Sequence, residues 1–358
     1  MAGVIAPTTP SPSRSSDRCP GVLRPHLAAD GAMVRIRIPG GQTTGDALAR
    51  LGDLAQAYGN GLLQLTSRGS VQIRGLPEVL PEALVDGIAA GGFLPSPSHD
   101  RVRNIVATPL TGLSGGQADL RVMISALDQA VPAEPALANL SGRFLFALDD
   151  GRGDVITTDF DLGYQARGPR GGIIMIGSER VPVATEDAVP TMIEIARRLV
   201  FEPHRPVTRR TRGTPEVPLG PIGPHAGAAV PLGLLTPAQV ATVQQVSGGG
   251  PVVITPWRGL VLPHAADRLA ELTAAGLVLE YDSPWTMISA CVGAPYCASG
   301  RIETLALAAR LARTAVSLPR IHISGCERRC GAPNHDHLDL VAPTEAQTLA
   351  RTGQRADA

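Results

Sequence analysis

Four of the five cysteines fall between Cys291 and Cys330, spaced Cys291-x5-Cys297 and Cys326-x3-Cys330. Gly293, Pro295, Ser299, Gly300, Ser324, Gly325, Gly331 and Pro333 surround them. Small, turn-forming residues of this kind let backbone N–H groups point inward at an anionic core. Four thiolates gathered this way are the ligand set of a 4Fe–4S cluster. A structural zinc site also takes four cysteines, but its paired ligands usually stand two or so residues apart. Disulfides suit short chains in oxidising compartments, and five cysteines in 358 residues with no export signal fit that poorly. Four unrelated thiols would have to be grouped by coincidence.

The rest of the composition excludes more than it proposes. The chain is long enough to bury a substantial core in two or three lobes. Formal net charge is zero, so nothing global points to nucleic acid or to an anionic membrane. No apolar run approaches a membrane-spanning length. The N-terminal stretch, rich in Pro and Ser, has no hydrophobic signal core and reads as a disordered tail on a cytoplasmic protein. All 32 basic residues are Arg. Coding bias accounts for most of them, but a planar guanidinium suits carboxylates, which matters for a ligand that carries many.

Taken in order, Val34–Ile38 alternates apolar residues with Arg, as a half-buried strand does. Thr43 or Thr44 can cap a helix reaching Tyr58, with Leu48, Leu51, Leu54 and Ala55 on one face and Gly59 as its stop. Strands at Leu62–Thr66 and Val71–Ile73 and a helix over Pro77–Ala90 complete an α+β half-domain. Gly40, Gly41 and Gly45 follow a strand but do not make a dinucleotide fingerprint. A second lobe reads as strands at Arg101–Thr108, Arg143–Leu148, Asp154–Phe160 and Gly172–Ile176, with helices over Asp119–Gln129 and Asp187–Val200. Phe201–Val230, with six Pro and four Arg, reads as a linker.

An internal repeat follows. Pro231–His264 echoes Gly40–Gly75, and LQLTSRGSVQI is answered by VVITPWRGLVL. The chain then runs through a helix (Ala266–Ala275), a strand (Leu277–Glu280), the first cysteine pair, a helix (Arg301–Arg313), a strand (Arg320–Ile323) and the second pair.

The four-cysteine spacing with its SGC-x3-C second half resembles the sirohaem-dependent sulfite and nitrite reductase superfamily. The opening around Cys19 (CPG-x-L-R, then DG-x-x-x-R-I-R-x-PGG) is similar to the start of the precorrin-3B synthases within it. Cys19 itself reads as a small residue in an opening turn. The resemblance implies an α+β, nitrite/sulfite reductase-like fold, in which two ferredoxin-like half-domain repeats pack with α/β lobes carrying the cluster. The boundaries that follow are a tail over 1–18, a first half-domain over 19–92 and a cofactor and substrate lobe over 93–202. Then come a linker over 203–230, a second half-domain over 231–282, the cluster lobe over 283–346 and a loose tail over 347–358.

The same resemblance supplies site residues. Cys291, Cys297, Cys326 and Cys330 are the cluster ligands. Thr66-Ser67-Arg68-Gly69 resembles the family's basic turn, Arg103-Asn104 its RN element and Arg143-Phe144-Leu145 its basic-Phe-Lys element. Arg68, Arg103 and Arg143 are therefore catalytic candidates, and with Asn104 they are candidate substrate contacts. Leu145 stands where the reductases place a second cation, which argues against sulfite or nitrite reduction. Arg74, Arg121 and Arg258 are further candidates against the simpler reading of surface charge. His335 and His337 would share one face of a strand at a spacing that can bind iron. Asp30 and His26 have no better support.

The implied activity is O2-dependent hydroxylation of precorrin-3A at C20, with lactone formation, in cobalamin biosynthesis. A sirohaem-dependent sulfite or nitrite reductase is the alternative. A second iron is implied beside the cluster, non-haem in the first case and sirohaem in the other. No flavin or nicotinamide site is legible, so an external NAD(P)H-linked reductase is expected as donor.

Overall fold

The computed structural model describes residues 19–157, 159–201, 217–333 and 335–353. The tail expected over 1–18 lies outside them, as does half of the Pro- and Arg-rich stretch.

Two sheets carry the duplication. One runs, in spatial order, His26–Ala28, Gly31–Ile36, Val71–Leu76, Leu63–Leu65 and Leu234–Leu235. The other runs Gly220–Ile222, His225–Ala229, Gly259–Leu262, Pro251–Ile254 and Gln42–Thr44. Each sheet thus ends on a short strand lent by the other half, Leu234 pairing Gln64 and Thr43 pairing Val252. This exchange is reciprocal, as a pseudo-two-fold relation requires, and it covers one edge of each sheet.

The helices Gly45–Tyr58 and Pro237–Ser247 follow the exchanged strands. Thr44 caps the first by accepting from the Ala47 N–H at 3.1 Å, and Thr236 forms a capping box with Gln239 on the second. Leu48, Leu51 and Ala55 on one helix and Val240 and Val243 on the other are buried in a core that both halves share. Gly52 lets the helices approach closely, since a Cβ there would stand 3.1 Å from Val240. Burying each leucine contributes about 1.5–3 kcal/mol.

A second lobe is a sheet of Ile105–Ala107, Phe146–Asp149 and Leu162–Ala166 in parallel, continued antiparallel by Gly171–Ile176 and Glu179–Ala184. Helices Arg121–Ala133 and Thr185–Leu199 cover one face through Ile124, Leu127, Met192 and Ala196. The last lobe is a three-stranded parallel sheet of Ile288–Ala290, Ile321–Ser324 and Leu338–Val341. Helix Thr304–Thr314 lays Leu307, Ala308 and Leu311 over it.

Four expectations change. The described residues of Asp154–Phe160 form no strand, because Asp149 and Asp154 bind nearby N–H groups of Gly151, Gly153 and Val155 and hold the chain in turns. Leu277–Glu280 is not a strand either, and only Val278 bridges to Ala229. The second repeat's sheet begins inside the expected linker, at Gly220. Finally, Glu345–Thr352 is helix where a loose tail is expected, started by a Thr344–Gln347 capping box and stopped by Gly353 in the left-handed region. No helix among the described residues is long and apolar enough to cross a membrane.

Candidate cluster site and cavity

The parallel strands of the last lobe deliver the cysteines. Ile288–Ala290 runs directly into Cys291, and its neighbour Ile321–Ser324 runs into Gly325 and Cys326. Both loops therefore leave the carboxyl ends of adjacent parallel strands, where open sheets present their ligand sites. The Cys291 N–H extends the ladder to the Ile323 carbonyl at 3.0 Å. Thr304, fully buried, donates to the Cys291 carbonyl.

Glycines bring the two loops together. A Cβ on Gly300 would lie 2.6 Å from the Ala294 nitrogen, and one on Gly325 would lie 3.1 Å from the Gly300 Cα. No side chain fits in that stack. The approach leaves the Gly325 N–H donating to the Cys291 sulfur at 3.2 Å, the kind of bond that tunes an iron–sulfur centre. All four cysteines are free thiols. Burial pushes the Cys330 thiol up, and the charges of Cys291, Cys326 and Cys297 push it further. Four thiolates so placed repel one another until cationic metal neutralises them.

The donor set fits a 4Fe–4S cluster. Among the described residues no three His, Cys, Asp or Glu side chains are grouped to hold a single metal ion. A cube spreads its thiolates over separate iron corners and demands less closeness than one tetrahedral ion.

Beside this lobe lies a cavity of about 620 Å³, within the usual range for cofactor-sized ligands. Both halves and both lobes contribute to its wall: Arg68, Leu145, Arg258, Arg320, His335 and His337 all line it. Burial pushes the pKa of Arg68, Arg258 and Arg320 down, so these cations lack full compensation. For Arg68, Cys19 and Asp161 offset part of that effect. His322, fully buried, is pushed down to about 4 by burial and then by Arg258 and His337. Its Nδ1 meets the Ser289 hydroxyl at 2.9 Å.

The structure separates the predicted arginines. Arg68 lines the cavity and donates to the Arg143 carbonyl at 2.8 Å. The Arg143 side chain is exposed and does not line it. Arg103 is buried and bidentate with Asp128 at 2.7 and 2.8 Å, away from the cavity wall. Asn104 is also buried and serves as a hub: it donates to the carbonyls of Arg101, Gly142 and Phe144 and accepts from Arg37 Nε. The RN element therefore braces the second lobe against the first half. Arg121 is a surface partner of Asp119. Arg74 is bidentate with Asp30 and donates to the Tyr296 carbonyl at 3.1 Å, next to Cys297. His335 and His337 precede the Leu338–Val341 strand, their ring centroids 6.3 Å apart.

Arg320, which lines the cavity, was not legible as a site residue, and neither was the burial of Arg37, which does not line it. Arg37 is 2% exposed; it donates to Asn104 and to the Pro20 carbonyl, while its Nη2 has no partner. Burial, then Arg35, pushes it down to about 9. Cys19 lies close enough to Arg35, Arg37 and Arg68 to act on all three electrostatically. The signal was the RIR alternation, which reads equally well as a strand with a solvated face.

Comparison with known proteins meets the same architecture. A model of the nitrite/sulfite reductase ferredoxin-like half domain matches residues 25–90. A precorrin-3B synthase from Sinorhizobium sp is 24% identical over 94% of this chain and 82% of that protein. A ferredoxin–nitrite reductase from Synechococcus elongatus is 26% identical over 86% of this chain and 76% of that one. The solved NirA protein of Mycobacterium tuberculosis superimposes with a TM-score of 0.67 at 18% identity, covering 84% of this chain and 69% of that one. The resemblance read from the cysteines, to this superfamily and to precorrin-3B synthases within it, is found again here.

Proposed function

From a chain with the nitrite/sulfite reductase fold, we propose a precorrin-3B synthase: an oxidoreductase that hydroxylates precorrin-3A at C20 with lactone formation. One oxygen atom of O2 enters the macrocycle and the other leaves as water. Two electrons come from an external NAD(P)H-linked reductase. Cys291, Cys297, Cys326 and Cys330 hold a 4Fe–4S cluster, which supplies one-electron transfer when bound; a second, non-haem iron belongs to the same reading.

Leu145 is the observation that carries this reading. Its apolar side chain forms part of the cavity wall at the position where the reductases carry a cation. A small oxyanion being reduced needs concentrated positive charge around it. A macrocycle fringed with acetates and propionates needs separated guanidinium groups and apolar contact for its ring. Arg68, Arg258 and Arg320 around Leu145 and Val106 supply that mixture. Arg68 orients one carboxylate edge, held in place through the Arg143 carbonyl. The ring face lies against the apolar wall and sheds water. The identity to a nitrite reductase over most of the chain favours a sirohaem reductase as the second reading.

The test is anaerobic purification followed by incubation with precorrin-3A, O2 and a reductant, or with sulfite or nitrite and a reductant. The proposal expects hydroxylated lactone from the first mixture and neither sulfide nor ammonia from the second. A sirohaem absorption band with sulfide or ammonia production would overturn it.

A further inference from the structure

The two halves build the same hairpin turn. In the first, the Thr66 N–H donates to the Ser70 carbonyl (3.0 Å), Gly69 N–H to the Thr66 carbonyl (3.2 Å) and Ser70 N–H to Thr66 Oγ1 (3.1 Å). In the second, the Thr255 N–H donates to the Gly259 carbonyl (2.9 Å), Arg258 N–H to the Thr255 carbonyl (3.2 Å) and Gly259 N–H to Thr255 Oγ1 (3.1 Å). Bond for bond, Arg258 occupies the place of Gly69. Both residues are left-handed, with φ of +64° at Gly69 and +58° at Arg258. Glycine adopts that conformation freely and arginine does not.

The position is costly in charge as well. Arg258 donates to the Gly331 carbonyl at 3.0 Å, and no carboxylate among the described residues pairs with it. It is packed against Gly233, where a Cβ would come within 2.8 Å of the Arg258 Cδ. Gly331 follows Cys330, so one guanidinium touches the last cysteine loop and also lines the cavity. A strained, partly buried cation with no carboxylate partner among the described residues has the features of a residue kept for a ligand.

We propose that Arg258 binds a carboxylate of the cavity's occupant and, through Gly331, ties that carboxylate to the Cys326–Cys330 loop. The inference rests on the carboxylated-tetrapyrrole reading above and sharpens it. The ligand is a polycarboxylate whose acidic side chains reach both the Arg68 wall, from the first half, and the Arg258 wall, from the second.

The experiment titrates full-length protein and the variants Arg258→Gly and Arg258→Lys with uroporphyrin, a tetrapyrrole bearing acetate and propionate groups, and records each thermal midpoint. Wild type binds. Arg258→Gly, which matches the twin turn, melts no lower than wild type yet binds about tenfold to a hundredfold more weakly. Its affinity also depends less steeply on salt. Arg258→Lys recovers part of the loss. Wild-type affinity in Arg258→Gly overturns the inference while leaving the macrocycle reading standing. Arg258→Lys binding no better than Arg258→Gly, with both melting below wild type, reduces Arg258 to packing. Absence of binding by wild type refutes the macrocycle reading and the inference with it.

Discussion

Two arginines reach the cluster lobe, one from each half of the duplication. Arg74, from the first, donates to the Tyr296 carbonyl beside Cys297; Arg258, from the second, donates to the Gly331 carbonyl beside Cys330. The bonds are alike, 3.1 and 3.0 Å. Their electrostatics differ. Arg74 is neutralised by a bidentate Asp30 with both side chains nearly buried, whereas Arg258 has no carboxylate among the described residues. A duplicated scaffold has given each cysteine pair the same kind of brace, but only the second brace keeps its charge available. Compensated charge holds the loop, and uncompensated charge is left for chemistry.

Removing what both arms support gives the largest effect. Cys297→Ser is expected to abolish the cluster signal in electron paramagnetic resonance of anaerobically prepared protein; an intact signal would remove Cys297 from the ligand set. Next comes the compensated arm. Arg74→Met leaves Asp30 unpaired, which should cost about 3–5 kcal/mol in denaturant unfolding. A change below about 1 kcal/mol would mean that Arg74 and Asp30 are not the brace described. The contrast with Arg258→Gly, which relieves a left-handed backbone at a position where arginine costs about 1–2 kcal/mol, is the sharpest form of the comparison. Arg68→Ala should weaken tetrapyrrole binding about tenfold while iron content stays unchanged. Unchanged affinity would take Arg68 out of the cavity's function.

A control lies in the second lobe, away from both arms. Burial raises Asp154 from 3.8 to about 7, with Asp149 adding to the rise and a hydrogen bond from Thr108 opposing it. Between about pH 4 and pH 7 the folded chain holds a proton that the unfolded chain has released. Stability should therefore fall as pH rises through that window and level off above it. Asp154→Asn should flatten the slope in thermal melts, and an identical slope in the variant would exclude Asp154 as its source.

The legible parts of the molecule were those written locally. Cysteine spacing with its glycines, the Thr44 and Thr236 caps and the echoed hairpins are short-range signals, and each lies in the structure close to where the sequence puts it. Direction was not legible. Arg68, Arg103 and Arg143 are equivalent as letters, but only the fold aims Arg68 at the cavity, pairs Arg103 with Asp128 and leaves Arg143 exposed. The strands at Gly220–Ile222 and His225–Ala229 were hidden by the surrounding prolines. Arg37 shows the limit most plainly: the alternation around it is that of a strand with one wet face, and the second lobe, through Asn104, covers that face. The C-terminal helix was legible and overlooked, since Thr344 and Gln347 spell a capping box.

The account depends most on what the four thiols hold. Iron and acid-labile sulfide, assayed on protein purified without air, test this directly. The account predicts about four sulfides per chain, with about four irons in the cluster besides the second, non-haem iron. Zinc in their place, or a chain that carries no metal when prepared from iron-replete cells, would contradict it.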